Sequence, residues 1–302
     1  MLSDRAAIAP PAILRPLRAT QDVALSAVQF CKKKPIGAVG GAIVALLILI
    51  AIFAPLISPF DPNEIHPEYL FEAPGATLPL GGDFAGRDVL SRLFHGGRIS
   101  LFVGFASIAI GITSGAMLGA VSAYYGGKFD LIVQRFVDAF IAFPGIILAL
   151  ALMAALGSSV FNIIIALIAV LAPSAIRTVR AQALAIKEMD YVLAARAVGA
   201  DDSRIVIRHI VPNCLALFII LATINLGYAI LVEASLSFLG VGVPPDVATW
   251  GGMLAGLSLS EMSSAWWLVV FPSIFLALAV FGFNMLGDAL RDVLDPRLRG
   301  TS

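Results

Sequence analysis

The sequence predicts an all-α integral membrane protein with about six transmembrane helices, and three observations predict it. Hydrophobic residues make up 59% of the 302, charged residues only 13%, and mean hydropathy is +0.95. Apolar runs of roughly 20 residues, enough to cross about 30 Å of hydrocarbon, recur along the chain. Lys and Arg collect in alternate connections. In water such a composition would leave large apolar patches exposed, whereas lipid solvates them. Helices rather than strands are expected, because a helix satisfies its own backbone in lipid.

The first run covers residues 36–57. It is too long for a signal-peptide core, and no small-x-small cleavage site follows, so it reads as an uncleaved span. The tail before it, residues 1–35, contains Pro10, Pro11 and Pro16. Val23, Ala24, Ala27, Val28 and Cys31 then recur at helical spacing. An interfacial helix and a disordered tail both fit this pattern. The outer segment 58–98 opens with turn formers, Pro59, Asp61 and Pro62. Near its end Val89, Leu90, Leu93 and Phe94 share one face, and this stretch is expected to lie along the outer membrane surface.

The second run covers 99–123. The third, 131–156, and the fourth, 160–179, meet at a tight polar turn, Gly157-Ser158-Ser159. The fifth covers 212–234 and the sixth 266–286. A second outer segment, 235–265, is rich in Gly and holds Pro244-Pro245. Trp250, Trp266 and Trp267 are expected at the membrane interface. Together the spans make a transmembrane domain over 36–290, with a cytoplasmic tail at 291–302.

Orientation follows from the basic residues. Seventeen of the 20 Lys and Arg fall on one side. They are Arg5, Arg15, Arg18 and Lys32 to Lys34 in the tail; Lys128 and Arg135; Arg177, Arg180, Lys187, Arg196, Arg204 and Arg208; and Arg291, Arg297 and Arg299. The other side has Arg87, Arg92 and Arg98. Six spans put both termini on the richer side, which is the cytoplasmic one. Net charge is zero, and no nucleic-acid partner is expected.

Gly111, Gly115 and Gly119 form two overlapping G-x-x-x-G steps in the second run, and Gly37 and Gly41 form another in the first. Small residues let helix backbones approach closely in lipid. Glycine is also simply common in membrane helices, so the spacing marks a packing face without naming its partner.

Enzyme chemistry is not visible in the residues. The nearest approach to a P-loop, Gly81 to Gly86, is followed by Arg87-Asp88 where Lys-Ser/Thr is needed. Neither H-E-x-x-H nor G-x-S-x-G occurs. His66, His95 and His209 are scattered, and Cys31 and Cys214 suit neither a disulfide nor a zinc site. No cofactor or metal is therefore expected in this chain. Carboxylates inside spans are few: Glu233 at the outer end of the fifth, Asp138 and Asp288 near inner ends. A proton-coupled secondary transporter usually needs them near the midplane. Glu233 has two readings, a carboxylate bonded to neighbouring groups or part of a substrate path.

The connection between the fourth and fifth runs, residues 181–211, differs from the rest. Glu188, Asp190, Tyr191, Val192, Ala194, Ala195, Arg196 and Ala197 form a short helix. Gly199 can end it with a left-handed residue. Beyond Ala200, Asp201 or Asp202 can cap a second helix, and Pro212 can open the fifth span. Alanines let a helix seat deeply in a groove of another protein, and Tyr191 adds a ring with a polar tip. A plain surface linker has the same composition.

This segment resembles the EAA loop of ABC importer permeases. Ala194 and Ala195 match its alanines, Gly199 its glycine and Pro212 its proline, at the right spacing. Leu193 replaces the Glu, His209 the Ile and Val211 the Leu. Leu80-Gly81-Gly82-Asp83, Gly86-Arg87-Asp88, Ser91-Arg92 and Arg98-Ile99-Ser100-Leu101 resemble the segment entering span two in the dipeptide/oligopeptide/nickel permease family. Glu233-Ala234-Ser235-Leu236-Ser237-Phe238-Leu239-Gly240 and Asp295-Pro296-Arg297-Leu298-Arg299 also resemble that family. The resemblance runs from about Lys34 to Arg299 and points to the second, C-type permease of such systems.

The resemblance implies a type I importer permease that pairs with a similar permease in lipid. It implies two ATPase subunits below, which bind ATP and magnesium, and an extracytoplasmic substrate-binding protein above. Residues 188–203 would be the coupling helix seated in one ATPase. Dipeptides or oligopeptides are the implied cargo, with nickel chelates, glutathione or another small solute as alternatives. A secondary transporter is the competing class; it would work alone in liposomes with an ion gradient.

Overall fold

The structure is a computed structural model that describes residues 34–257, 262 and 264–294. The tail before Lys34, Cys31 within it, and the Asp295–Arg299 motif lie outside the described residues. Among the described residues the chain is helical, and its one strand-like feature is an isolated bridge between Gly82 and Asp88.

Helix α1 spans Pro35–Ile57. Proline suits this first position, because the amide hydrogen it lacks would have no helical partner there. Helix α2, Val89–Ser107, a π turn, Ile108–Ile112, and α3, Thr113–Tyr125, together form a 37-residue span. Helices α4, Gly127–Ile141, and α5, Gly145–Leu156, follow. Helix α6 spans Val160–Lys187, and Ser159 caps it by accepting from Phe161 and Asn162 amides. Helix α7 is Asp190–Ala197. Helix α8, Asp202–Ile205, continues through π and 3-10 turns into α9, Leu215–Phe238. Helix α10 is Trp267–Leu294. Five helical segments are long and apolar enough to cross a membrane, or six if the bent pair α4 and α5 counts as one span.

Several expected boundaries are corrected. The run 131–156 is not one straight span, because α4 and α5 meet at 90°. Pro144 is the cause: it donates no hydrogen bond and pushes the residue before it out of helical geometry. The stretch from Val89 is continuous with the second run: one helical segment runs Val89–Tyr125, about 55 Å at 1.5 Å per residue and so longer than the hydrocarbon, and Val89 and Leu93 are fully buried against the rest of the chain. Asp88 starts it by accepting from the Ser91 amide at 2.8 Å and the Ser91 hydroxyl at 2.6 Å. The fourth span continues to Lys187, so at 1.5 Å per residue it is about 42 Å long and projects beyond the hydrocarbon. Pro212 does not open the fifth span. That helix runs from Asp202 to Phe238, and Pro212 sits in a 3-10 turn where the helical ladder adjusts to its missing donor.

Two of the three tryptophans are interior rather than interfacial. Trp250 and Trp267 are buried, while Trp266 is half exposed. Each buried indole donates to a backbone carbonyl, Trp250 to Leu93 at 3.0 Å and Trp267 to Gly82 at 3.1 Å. Those bonds fasten the outer segments onto the tops of α2 and α10. Asp83 organises the first segment by accepting from the amides of Ala85 and Arg87 and from the Arg87 side chain at 2.8 Å.

The G-x-x-x-G face finds its partner within the chain. Gly111 lies against Ile168, Gly115 against Ala172 and Ala175, and Gly119 against Ile176 and Arg180, all on α6. A methyl at Gly115 would sit 2.8 Å from the Ala172 carbonyl oxygen, so α3 and α6 touch backbone to backbone. In α1 the contact glycine is Gly40, whose added methyl would meet Met285 Cβ at 2.6 Å on α10.

Candidate coupling surface

The segment after α6 is built on one buried anchor. In α7 only Val192 is fully buried. It enters an apolar cluster with Ala123, Tyr124, Ala183, Ile186 and Ile205. The remainder of the helix faces outward. Glu188, Asp190, Tyr191, Ala194, Arg196 and Ala197 are exposed, and Ala195 and Ala200 are partly buried. Leu193 is 41% exposed and Val198 84%.

The turn after α7 has the geometry expected of Gly199. Its φ is +81°, a conformation that costs a residue with a Cβ. The Gly199 amide donates to Arg196 and the Ala200 amide to Ala195, each at 3.0 Å, which together form a Schellman cap. Asp201 then caps α8: its carboxylate accepts from the Ser203 amide at 3.1 Å and from the Ser203 hydroxyl. The Ser203 hydroxyl holds the Asp201 carboxyl below its ordinary value.

Tyr124, at the end of α3, ties the segment to the span. Its hydroxyl donates to the Asp202 carboxylate at the start of α8. The Lys187 ammonium donates to the Tyr124 carbonyl oxygen at 2.8 Å and lies 5.8 Å from the ring centroid. The Arg196 guanidinium stands 5.5 Å from the same ring, within reach of cation–π attraction. One side chain therefore touches the end of α6, the outer turn of α7 and the first residue of α8.

Two ion pairs join α4 to α6 nearby. Arg180 grips Asp130 through two bonds of 2.6 and 2.5 Å. Arg177 pairs with Asp138. Sequence reasoning missed Tyr124, Asp130 and Arg180 as parts of this site. A signal was present: charges inside or beside a span need partners, and Asp130 and Asp138 lie two turns apart, on one face of α4.

Glu233 lies at the far side of the molecule and is fully buried. Its carboxylate accepts from the Ser100 hydroxyl at 3.0 Å and the Ser237 hydroxyl at 2.9 Å. It thus joins α2 to α9. Among the described residues no group of His, Cys, Asp and Glu is placed to hold a metal ion.

A bundle of membrane-crossing helices with a short, outward-facing helix between two long ones is the design of a transport permease. The chain belongs to the family described as binding-protein-dependent transport system inner membrane component, whose model matches residues 111–300. Residues 27–74 match the N-terminal TM domain of oligopeptide transport permease C. The protein is therefore an inner-membrane permease of an ABC importer with the type I fold. It is 42% identical over 262 residues to a putative peptide transport system permease of Brucella suis, covering 86% of this chain and 88% of that one. It is 41% identical to the dipeptide transport system permease of Alkalihalophilus pseudofirmus, covering 89% and 88%. It is 39% identical to the glutathione transport system permease of Pectobacterium atrosepticum, covering 88% and 89%.

Proposed function

We propose that this permease imports dipeptides or oligopeptides, enclosing the path with a second, homologous permease. An extracytoplasmic binding protein delivers the cargo. Two ATPase subunits bind ATP and magnesium and dock on the cytoplasmic face, where α7 and the Gly199 turn seat in one of them. The observation that carries this reading is α7 itself: a single buried valine holds it, and its outer face, with Tyr191, Leu193 and Val198, is open. Such a helix transmits force through Lys187 and Tyr124 to α6 and α3 when the ATPases close. The chain converts that movement into alternating access and performs no chemistry of its own.

Uptake of a labelled dipeptide in cells lacking only this chain, with the restored gene as control, tests the cargo. Uptake lost on deletion and recovered on restoration is the expected result. Unchanged dipeptide uptake together with lost glutathione uptake would favour the second reading, supported by the glutathione-permease relative. Glutathione is itself a tripeptide, so the same path chemistry would serve.

A further inference from the structure

The inner half of α6 carries a polar face left uncovered by the described residues. Ser174, Arg177, Thr178 and Ala181 share that face and are exposed. The adjoining face, Leu171, Ala175 and Val179, is buried, and Gly115 and Gly119 of α3 press on that side. In the outer half the corresponding face is covered. Ile163 and Leu167 are buried there, and Val170 lies beside Gly145, the first residue of α5. The right-angle bend between α4 and α5 ends this cover, and the polar stripe begins just below it.

Charge marks the stripe. Arg177 pairs with Asp138, and Arg135 stands 3.8 Å from the same carboxylate. The Asp138 and Arg177 side chains are each 49% exposed, and Arg135 is 75% exposed. Counted from Val160, the first residue of α6, about 30 Å of helix ends near residue 179, with Ser174 roughly 8 Å and Arg177 roughly 3 Å short of that level. A charged group inside a span faces a bundle interior or water, or reaches out to the headgroups, rather than lying among lipid tails. The other flank of α6 is different in kind. Ile165, Ile168, Ala172 and Ile176 form, with Phe136 and Phe140 of α4, a groove of about 440 Å³ lined only by apolar residues. Acyl chains suit that groove, and water suits the stripe.

We propose that Ser174, Arg177 and Thr178, with Asp138, line the cytoplasmic half of the translocation path. The inference rests on the reading of this chain as an importer permease whose path is closed by a second permease. The Asp138–Arg177 pair offers one group of each sign, which suits a solute carrying both an ammonium and a carboxylate, as a peptide does. Because water bathes the pair, its hold on such a solute is weak, which allows release.

The complete importer in inside-out membrane vesicles provides the test. Cys31 and Cys214 are replaced by Ala, and single cysteines are introduced as Ser174→Cys, Thr178→Cys and, on an exposed apolar position of α1, Leu49→Cys. A charged, membrane-impermeant methanethiosulfonate is the probe. Ser174→Cys and Thr178→Cys are expected to react at least roughly tenfold faster than Leu49→Cys, since the reagent's charge bars it from lipid. Labelling of Ser174→Cys no faster than Leu49→Cys would overturn the proposal; that is the result expected if Arg177 only snorkels to headgroups. Labelling needs no particular cargo, so a dry Ser174→Cys fails the path, while unchanged dipeptide uptake on deletion fails the cargo.

Discussion

The Tyr124 hydroxyl donates a hydrogen bond to the Asp202 carboxylate, joining the end of one span to the start of another across 78 positions of sequence. The same ring is flanked by the Lys187 and Arg196 cations. Tyr124→Phe keeps the ring and removes only the hydroxyl. The expected result is a modest loss of stability, about 1.5 kcal/mol, for a bond to a charged group. Dipeptide-stimulated ATP hydrolysis by the purified importer should fall while basal hydrolysis persists. Equal stimulation in both proteins would show that the bond does not transmit movement.

Gly199 has open space around it, so its constraint is its φ of +81° and not crowding. Gly199→Asn, which tolerates the left-handed region, is expected to import normally. Gly199→Val should lose about 1–2 kcal/mol in the local turn and uncouple uptake. Normal uptake by a well-expressed Gly199→Val protein would count against the Schellman cap as part of coupling.

Ala195 is partly buried on α7, beside the exposed Ala194. Ala195→Glu brings a bulky charge to the proposed docking face. Co-purification of the ATPase subunits with this variant should drop sharply while its membrane level stays constant. Undiminished co-purification would place the ATPase contact elsewhere.

Gly119 faces the Ile176 carbonyl and the Arg180 amide on α6. Gly119→Leu must force the two helices apart, an overpacking cost of about 1–3 kcal/mol. A lower melting temperature of the purified complex is the expected outcome, with Ser114→Leu, at an exposed position of α3, as a control near wild type.

The Asp201 cap depends on an ionised carboxylate. Its folded value is depressed by the Ser203 hydroxyl, so the cap's contribution is complete above the ordinary carboxylate value, about 3.9, and is lost as pH falls through the lower folded value. Amide exchange at Ser203, followed from pH 7 downward past the ordinary carboxylate value, should show protection lost only below that value. Asp201→Asn, a neutral cap, should remove that pH dependence.

Much of the architecture was legible in the chain. Apolar length located the five unbroken membrane-crossing segments, though not their ends, because about 30 Å of hydrocarbon imposes a minimum run on any helix. The helix–glycine–helix pattern at 188–203 was legible too, since capping and left-handed turns are local and each has its own residue types. The spacing of Gly111, Gly115 and Gly119 announced a packing face. It did not name α6 as the partner, because a G-x-x-x-G step fits any helix that offers small residues.

What tertiary structure alone decided were relationships between distant residues. Periodicity does not say how far an apolar run bends: Pro144 marks a break in the sequence, but the right angle there, and the pairing of α4 with Arg177 and Arg180 of α6, are seen only in the fold. Trp250 and Trp267 have the composition of interface anchors, yet each finds a carbonyl acceptor inside the outer fold. Tyr124 follows directly on the second apolar run, and only in the fold do Asp202, Lys187 and Arg196 converge on it. Local rules fix what a segment can become because they act over one or two helical turns. Which partner satisfies a ring, a charge or a glycine face is settled by packing, where every group competes for the same neighbours.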